Sequence, residues 1–343
     1  MNFNEFIENV QAELPQHFTD AFKKAEVSTT EVNKLQGESY SGITIRPENG
    51  DVGVTINTEK FFEDYNAGRN MDSIVSSIAE NAEYHLSEVP QLDKNQFMDY
   101  EAMKPSLMIQ MVGKDSNAEM LQSVPHQDME DMAVVYRFAL QQTEEGTASI
   151  LVNNRMMESY GITQEQLHND AIENAVLNHP ANIRNMNEVI ASMMGDMFPM
   201  PDEPAPMYVA TNDNSFHGAG VMAYPDFMEQ ATEKLGGSFY ILPSSIHEII
   251  MIPDEFQMNA QELKAMVTEV NGSEIDPAER LTDNVYHYDA DAKVLEQADK
   301  FEKRQMEKEP RKSVLEQLEQ KVKETAAKIP KEHTAPKRAE VAL

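Results

Sequence analysis

The stretch Ser244, Ser245, Ile246, His247, Glu248 contains the residue types that a hydrolase uses. A serine oxygen becomes nucleophilic when a base lies within hydrogen-bond reach and donors await the oxyanion. Ser244 or Ser245 would attack, and His247, or His217 from the preceding hairpin, would take the proton. A plainer reading competes. Ser245 and Glu248 stand at capping-box spacing, so the same stretch reads as one helical turn between two strands. No catalytic residue is assigned; Ser244, Ser245, His247 and His217 stand as candidates only.

Other chemistry is poorly represented. His247 and Glu248 begin an H-E-x-x-H zinc pattern, but Met251 occupies the place of the second histidine. Asp289, Ala290 and Asp291 begin like a calcium loop that lacks the glycine and distal glutamate of an EF-hand, so they read as a turn after a strand. The phosphate cradles G-x-x-x-x-G-K-[ST] and G-x-G-x-x-G and the nucleophile elbow G-x-S-x-G do not occur. The 23 methionines concentrate around 186–207. Core filling or an adaptable interface explains them better than a soft-metal site, which would need His or Cys among them. The sequence therefore carries no cofactor signature and no metal-ligand set.

The elements that would position these residues begin with 207–253. Residues 208–211 and 216–222 flank Asn212, Asp213, Asn214 and Ser215, which reads as a hairpin. Gly218 and Gly220 inside its second strand imply that another element approaches the backbone closely. Asp226 and Glu229 cap a helix whose Phe227, Ala231 and Leu235 share a face, and Gly236 and Gly237 stop it. Residues 239–242 and 249–252, bounded by Pro243 and Pro253, read as buried strands.

The rest of the chain repeats this α+β grammar. Phe3, Ile7, Val10 and Leu14 mark a helix that Pro15 should break. Hairpins are expected at 42–57 and 132–152, and 108–112 is open between strand and helix start. Helices are expected at 58–67, from Asn70 with Ile74, Ile78 and Ala82, at 155–160, after Thr163, at 188–194 and after Asn259; a strand is expected at 285–288. Three times a hairpin feeds a helix opening with two large apolar residues and Glu: Phe61, Phe62, Glu63; Met156, Met157, Glu158; Phe227, Met228, Glu229. The predicted class is α+β, a mixed or antiparallel sheet of hairpin–helix units with helices packed on it. Two modules, 1–118 and 119–294, or one continuous domain, precede a charged, partly helical and partly disordered tail at 295–343, where Ser313, Leu315, Leu318 and Val322 mark a short helix.

Charge separates the same two regions. The chain has 59 acidic and 28 basic residues, a net charge of −31; residues 1–299 carry −35 and residues 300–343 carry +4. The globular part should repel nucleic acid. With no Cys, disulfides and thiolate chemistry are absent. No signal peptide opens the chain, and no run approaches the roughly 18 apolar residues of a membrane span. A cytoplasmic protein is expected.

Several blocks, MNFNEFIENV, GITIR, FFEDYNAG, MEDMAVVYRF, YGITQEQLH, PMYVATN, FYILPSSIHEIIMIP and ERLTDNVY, together resemble an uncharacterised domain-of-unknown-function family of Firmicutes, common in gut Clostridia. The resemblance covers roughly 1–295. It implies an accessory role on conjugative or integrative elements and carries over no catalytic residue. The resulting expectation is a non-enzymatic protein-interaction or accessory protein, with an unknown protein partner engaged through the 295–343 tail. One alternative is an acidic nucleic-acid mimic that inhibits a DNA-binding enzyme. The other is a hydrolase using Ser244 or Ser245 with His247.

Overall fold

The computed structural model describes residues 1–33, 39–48, 50, 53–88, 93–143, 146–194, 205–243, 245–256 and 258–308. The fold is α+β with three antiparallel sheets. Contacts divide the chain into one compact unit, 1–298, and a second, 299–343, of which only the residues through 308 are described. The helix expected after Ser313 lies outside the described residues.

The first core is built by residues 1–88. Asn2 and Glu5 form a capping box that starts α1 (Phe3–His17), whose Phe6, Ile7, Val10 and Leu14 are buried. The helix runs through Pro15 to His17 instead of breaking there. The bond that proline removes falls in the last turn, where the ladder is already ending. Strand β1 (Glu26–Asn33), unforeseen in its polar sequence, pairs over eight residues with β2 (Ser39–Arg46), which pairs in turn with β3 (Val54–Asn57). Ile43, Ile45 and Ile56 then meet Ile74, Ile78 and Ala82 of α3 (Met71–Glu88), with α2 (Glu59–Asn66) between in sequence.

Three short helices, α4 (Lys94–Phe97), α5 (Tyr100–Met103) and α6 (Ala118–Leu121), flank β4 (Leu107–Gly113), so 108–112 is strand. β4 borders β6 (Met132–Thr143) on one side, while β5 (His126–Met129) and β7 (Gly146–Leu151) follow one another along its other side. The chain continues through α7 (Asn154–Tyr160) and α8 (Gln164–Asn178), capped by Thr163, to β8 (Ala181–Asn185) and α9 (Met186–Met194). Next come β9 (Tyr208–Asn212), α10 (Phe227–Leu235), β10 (Phe239–Leu242), β11 (Ile249–Pro253), α11 (Ala260–Ser273), β12 (Tyr286–Asp289), β13 (Val294–Gln297) and α12 (Ala298–Lys308). The larger sheet has the order β13-β12-β10-β11-β9-β8.

Both faces of that sheet are covered, which explains why β10 and β11 read as unbroken apolar runs. Phe239 and Ile241 enter a core shared with Ile109, Met111, Val134, Tyr136 and Phe138 of the four-stranded sheet, and with α8 and α10. Tyr240 and Leu242 point the other way, against Leu263 and Val267 of α11. Two expectations fail here. Residues 216–222 are not a strand; Gly218–Ala223 form a 3-10 turn, so the third hairpin–helix unit has no hairpin. The link from β10 to β11 is not helical, because Ser245 is drawn into a bridge with Arg280.

One carboxylate ties the two sheets together. The β5–β6 turn is so tight that Glu130 adopts a positive φ of 54°, leaving Asp131 at its tip. Asp131 accepts hydrogen bonds from Thr282 Oγ1 (3.0 Å), Asn284 Nδ2 (2.8 Å), Gln297 Nε2 (2.9 Å) and the Tyr286 hydroxyl. Burial acts to raise its pKa, but these donors outweigh burial and hold the carboxyl below its ordinary range. The folded pKa is depressed, so this stabilisation is complete above the ordinary value of ~4 and disappears as pH falls through the lower folded value. Replacing Asp131 with Asn is expected to cost about 2 kcal/mol at pH 7, with the loss shrinking at pH 3. Urea unfolding at the two pH values measures both.

Candidate functional site

The candidate residues His217, Ser245 and His247 meet where β9, β11 and the Gly218–Ala223 turn converge. After β9 the Asn214 side chain accepts the Phe216 amide (3.0 Å), and Asn212 Nδ2 donates to the Phe216 carbonyl (2.9 Å). These bonds curl the chain so that Ser215 and His217 both take left-handed backbone angles. The curl presses the next residue against its neighbours. A Cβ at Gly218 would stand 1.9 Å from Thr211 Oγ1 and 2.3 Å from the His247 carbonyl oxygen, so only glycine fits. Close approach was the signal read from this glycine pair, and protein atoms make it. At Gly220 the neighbour is Ile109 of β4.

Backbone bonds hold the second half of the site. Ile246 N donates to the Glu279 carbonyl (2.9 Å), and Ala219 N donates to the Ile246 carbonyl (3.2 Å). Thr211 Oγ1 donates to the His247 carbonyl (2.8 Å). Buried Ser245 accepts the His247 amide on its Oγ at 2.9 Å, a local turn bond rather than a bond to the imidazole. Ser244 lies outside the described residues. Among the described residues, therefore, no serine hydroxyl is hydrogen-bonded to either histidine ring.

The two histidines do come together. Phe216 stacks on His217 with ring centroids 3.9 Å apart, and His217 stacks on His247 at 5.9 Å with 22° between planes. His247 Nδ1 accepts the His217 backbone amide (3.3 Å), which puts the proton of the neutral ring on Nε2, 3.4 Å from the Glu279 carboxylate. His217 is 8% exposed, and its Nδ1 has no hydrogen-bond partner, nor does Asn212 Oδ1. Burial, then repulsion from Arg137 and His247, pushes the His217 pKa down to about 3.

Arg137 was not foreseen as a member of this site. It is the single charge in the run 132–140 of β6, MAVVYRFAL, and that was the available signal. Its Nε donates to Ser149 Oγ (2.9 Å) and its Nη1 to Gln110 Oε1 (3.4 Å), and burial lowers its pKa. Glu279, 32 positions after His247, gave no local signal at all. The other motifs resolve as structure. Asp289 Oδ1 accepts the Ala292 amide (3.0 Å) in the β12–β13 turn, and the described residues hold no cluster of three metal-ligating side chains. Of the methionine-rich stretch, Met193 and Met194 are exposed, and 195–204 lie outside the described residues.

A family model matches residues 3–290, the whole span from α1 through β12 and the histidine pair included. The chain belongs to DUF5688, a family of unknown function. No curated protein and no solved structure matches it. The family match stops short of β13, so Gln297, one of the four donors to Asp131, lies beyond it.

Two outcomes follow from the site. Gly218→Ala is expected to destabilise by about 3 kcal/mol, because one obstructing atom belongs to Thr211 of β9 and the other is a main-chain carbonyl in the link just before β11; thermal unfolding reads it. His217 is depressed in the folded state, so the unfolded chain binds its proton first as pH falls. Stability is complete above the unfolded value of ~6.5 and declines below it, by about 1 kcal/mol per pH unit, until the folded ring titrates near 3. His217→Asn, which tolerates the left-handed backbone, should flatten that slope in urea titrations between pH 6.5 and 4.

Proposed function

We propose that this DUF5688 protein is a cytosolic, non-enzymatic interaction protein that takes a strand from its partner. The observation that carries the reading is the open edge of β1. Gln11 Nε2 donates to the Val27 carbonyl (3.1 Å), so Val27 turns its main chain away from β2. The Ser41 carbonyl opposite Glu31 points instead to Thr58 Oγ1 (2.8 Å) on the β3 side. By antiparallel alternation, Thr29 and Glu31 also face outward, and no strand pairs on that side among the described residues. A groove of about 400 Å³ runs beside this edge, lined by Glu8, Gln11, Ala12, Pro15, Ala25 and Val27.

Charge selects the partner. Glu8, Glu26 and Glu31 are exposed around the groove and strand, and the chain carries −31 overall, which disfavours a second copy and favours an extended segment bearing Lys or Arg. The resemblance to genes of conjugative and integrative elements makes an accessory role there the natural setting, and the 300–343 segment, at +4, is a second place for a partner to engage. Deletions that test the tail should begin at 299, since 295–297 belong to β13.

The test is a synthetic peptide alternating Val and Lys, titrated by fluorescence anisotropy, against its Val/Glu counterpart. Thr29→Pro removes one outward amide without touching the β1–β2 ladder. Saturable binding of the Lys peptide alone, weakened at least ~10-fold by Thr29→Pro at unchanged fold, is expected. Equal affinity of the two proteins for the Lys peptide would sink the proposal.

A further inference from the structure

The helical wall of the β1 groove carries acceptors that the fold does not use up. Glu8, Gln11, Ala12 and Pro15 fall at i, i+3, i+4 and i+7, so they share one face of α1, and all four line the groove. Pro15 has no amide to return to the Gln11 carbonyl, so the helical ladder leaves that oxygen without its usual donor on this same face. Glu8 is exposed and has no ion-pair partner among the described residues. A carboxylate and a carbonyl thus stand beside an opening whose other lining is Ala12, Ala25 and Val27.

The strand edge fixes where a side chain would enter. Gln11 Nε2 already places an amide on the outward Val27 carbonyl (3.1 Å), the position that a neighbouring strand's amide takes in a ladder. On an added antiparallel strand, the residue paired with Val27 points its side chain to the same face of the sheet as Val27. Val27 sits opposite Ile45 of β2 and packs toward the core that α1 covers. That partner residue therefore drops its side chain between β1 and α1, while its two chain neighbours project to the other face, the side of Ser28 and Thr30.

We propose that this groove is a pocket for one basic side chain of the partner strand, on the residue paired with Val27, and that Glu8 and the Gln11 carbonyl select it. The aliphatic stem of Lys or Arg lies along Ala12 and Val27 while its cationic head donates to the two acceptors. The groove, at about 400 Å³, has room for such a side chain. An acidic side chain in the same place is repelled by Glu8, and a purely apolar one leaves both acceptors without a donor. The inference rests on strand addition at β1 and adds which position of the partner is read, and by which groups.

The experiment uses the full chain and short labelled peptides of alternating Val and Thr, identical except for one central residue: Lys, norleucine or Glu. Norleucine keeps the aliphatic stem and drops the charge. By fluorescence anisotropy, Lys is expected to bind at least ~5-fold more tightly than norleucine, and Glu more weakly than either. Glu8→Gln, at an exposed helix position, should bring Lys and norleucine within ~2-fold of each other, and Glu8→Lys should rank the Glu peptide first. Pro15→Ala returns an amide to the Gln11 carbonyl and should narrow the Lys–norleucine gap with the carboxylate still in place. Thr29→Pro separates this inference from the reading it rests on. If Thr29→Pro weakens all three peptides but the unaltered protein does not distinguish Lys from norleucine, strand addition stands and the pocket falls. A Lys preference that survives Glu8→Gln, or that Pro15→Ala leaves untouched, also overturns the assignment. If no peptide binds, or Thr29→Pro changes nothing, both readings fail together.

Discussion

The docking of the two central sheets depends on where one carboxylate must sit. Their shared interior is apolar and would tolerate sliding, because hydrophobic contact has no direction. Asp131 removes that freedom. Its four donors come from Thr282, Asn284, Tyr286 and Gln297, so the tip of the β5–β6 turn has one position relative to β12 and β13. The demand also runs the other way. Tyr286 is fully buried, and its hydroxyl needs a partner in a place where apolar side chains offer none. Burial together with its bond to Asp131 drives its pKa upward, which keeps it a donor at any ordinary pH. A tight turn on one sheet and a buried phenol on the other thus fix each other, and the packing of Phe239, Ile241, Tyr136 and Phe138 follows from that register.

The region around His217 obeys a different logic. There the backbone itself is crowded, with Gly218 wedged between Thr211 and the His247 carbonyl, and nearly every polar group answers a main-chain partner. Ser245 and His247, which suggest acyl chemistry when read in order, are engaged with amides. The hydroxyl accepts where a nucleophile would have to donate to a base, and His247 Nδ1 receives the His217 amide. Among the described residues, the buried polar atoms of this region without a partner are others, His217 Nδ1 and Asn212 Oδ1.

How legible this was in the sequence depended on how local the cause was. Helices announced themselves through caps and spacing, as with Asn259 and Glu262, whose reciprocal bonds are both present, and Thr163, which accepts the Gln166 amide. Strands β6, β10, β11 and β12 were visible because both their faces or one whole face is apolar. β1 was invisible because EVSTTEVN has little to bury, and its pairing with β2 rests on main-chain bonds. Residues 216–222 looked like a strand because FHGAGVM is apolar without a helical period, and nothing nearby reveals that Asn212 and Asn214 curl the chain first. The meeting of His217 with His247 could be raised only as a question. Arg137, Asp131 and Glu279 take their roles from partners that reach them across the fold, up to 166 positions away for Gln297, and no window along the chain contains such a pair.

Net charge sharpens the meaning of what is left unpaired. In a chain with 59 acidic side chains, a carboxylate beside a half-buried arginine is the easiest compensation to find, and surface lysines here do find it: Lys104 with Asp170, Lys114 with Asp128 and Lys293 with Glu229. Arg137 is partly buried, and among the described residues it is held by a serine and an amide oxygen. The part of the guanidinium that stays exposed keeps its hydration, so the charge needs no buried carboxylate beside it. The neutral oxygens of Ser149 and Gln110 orient the fork without cancelling its charge.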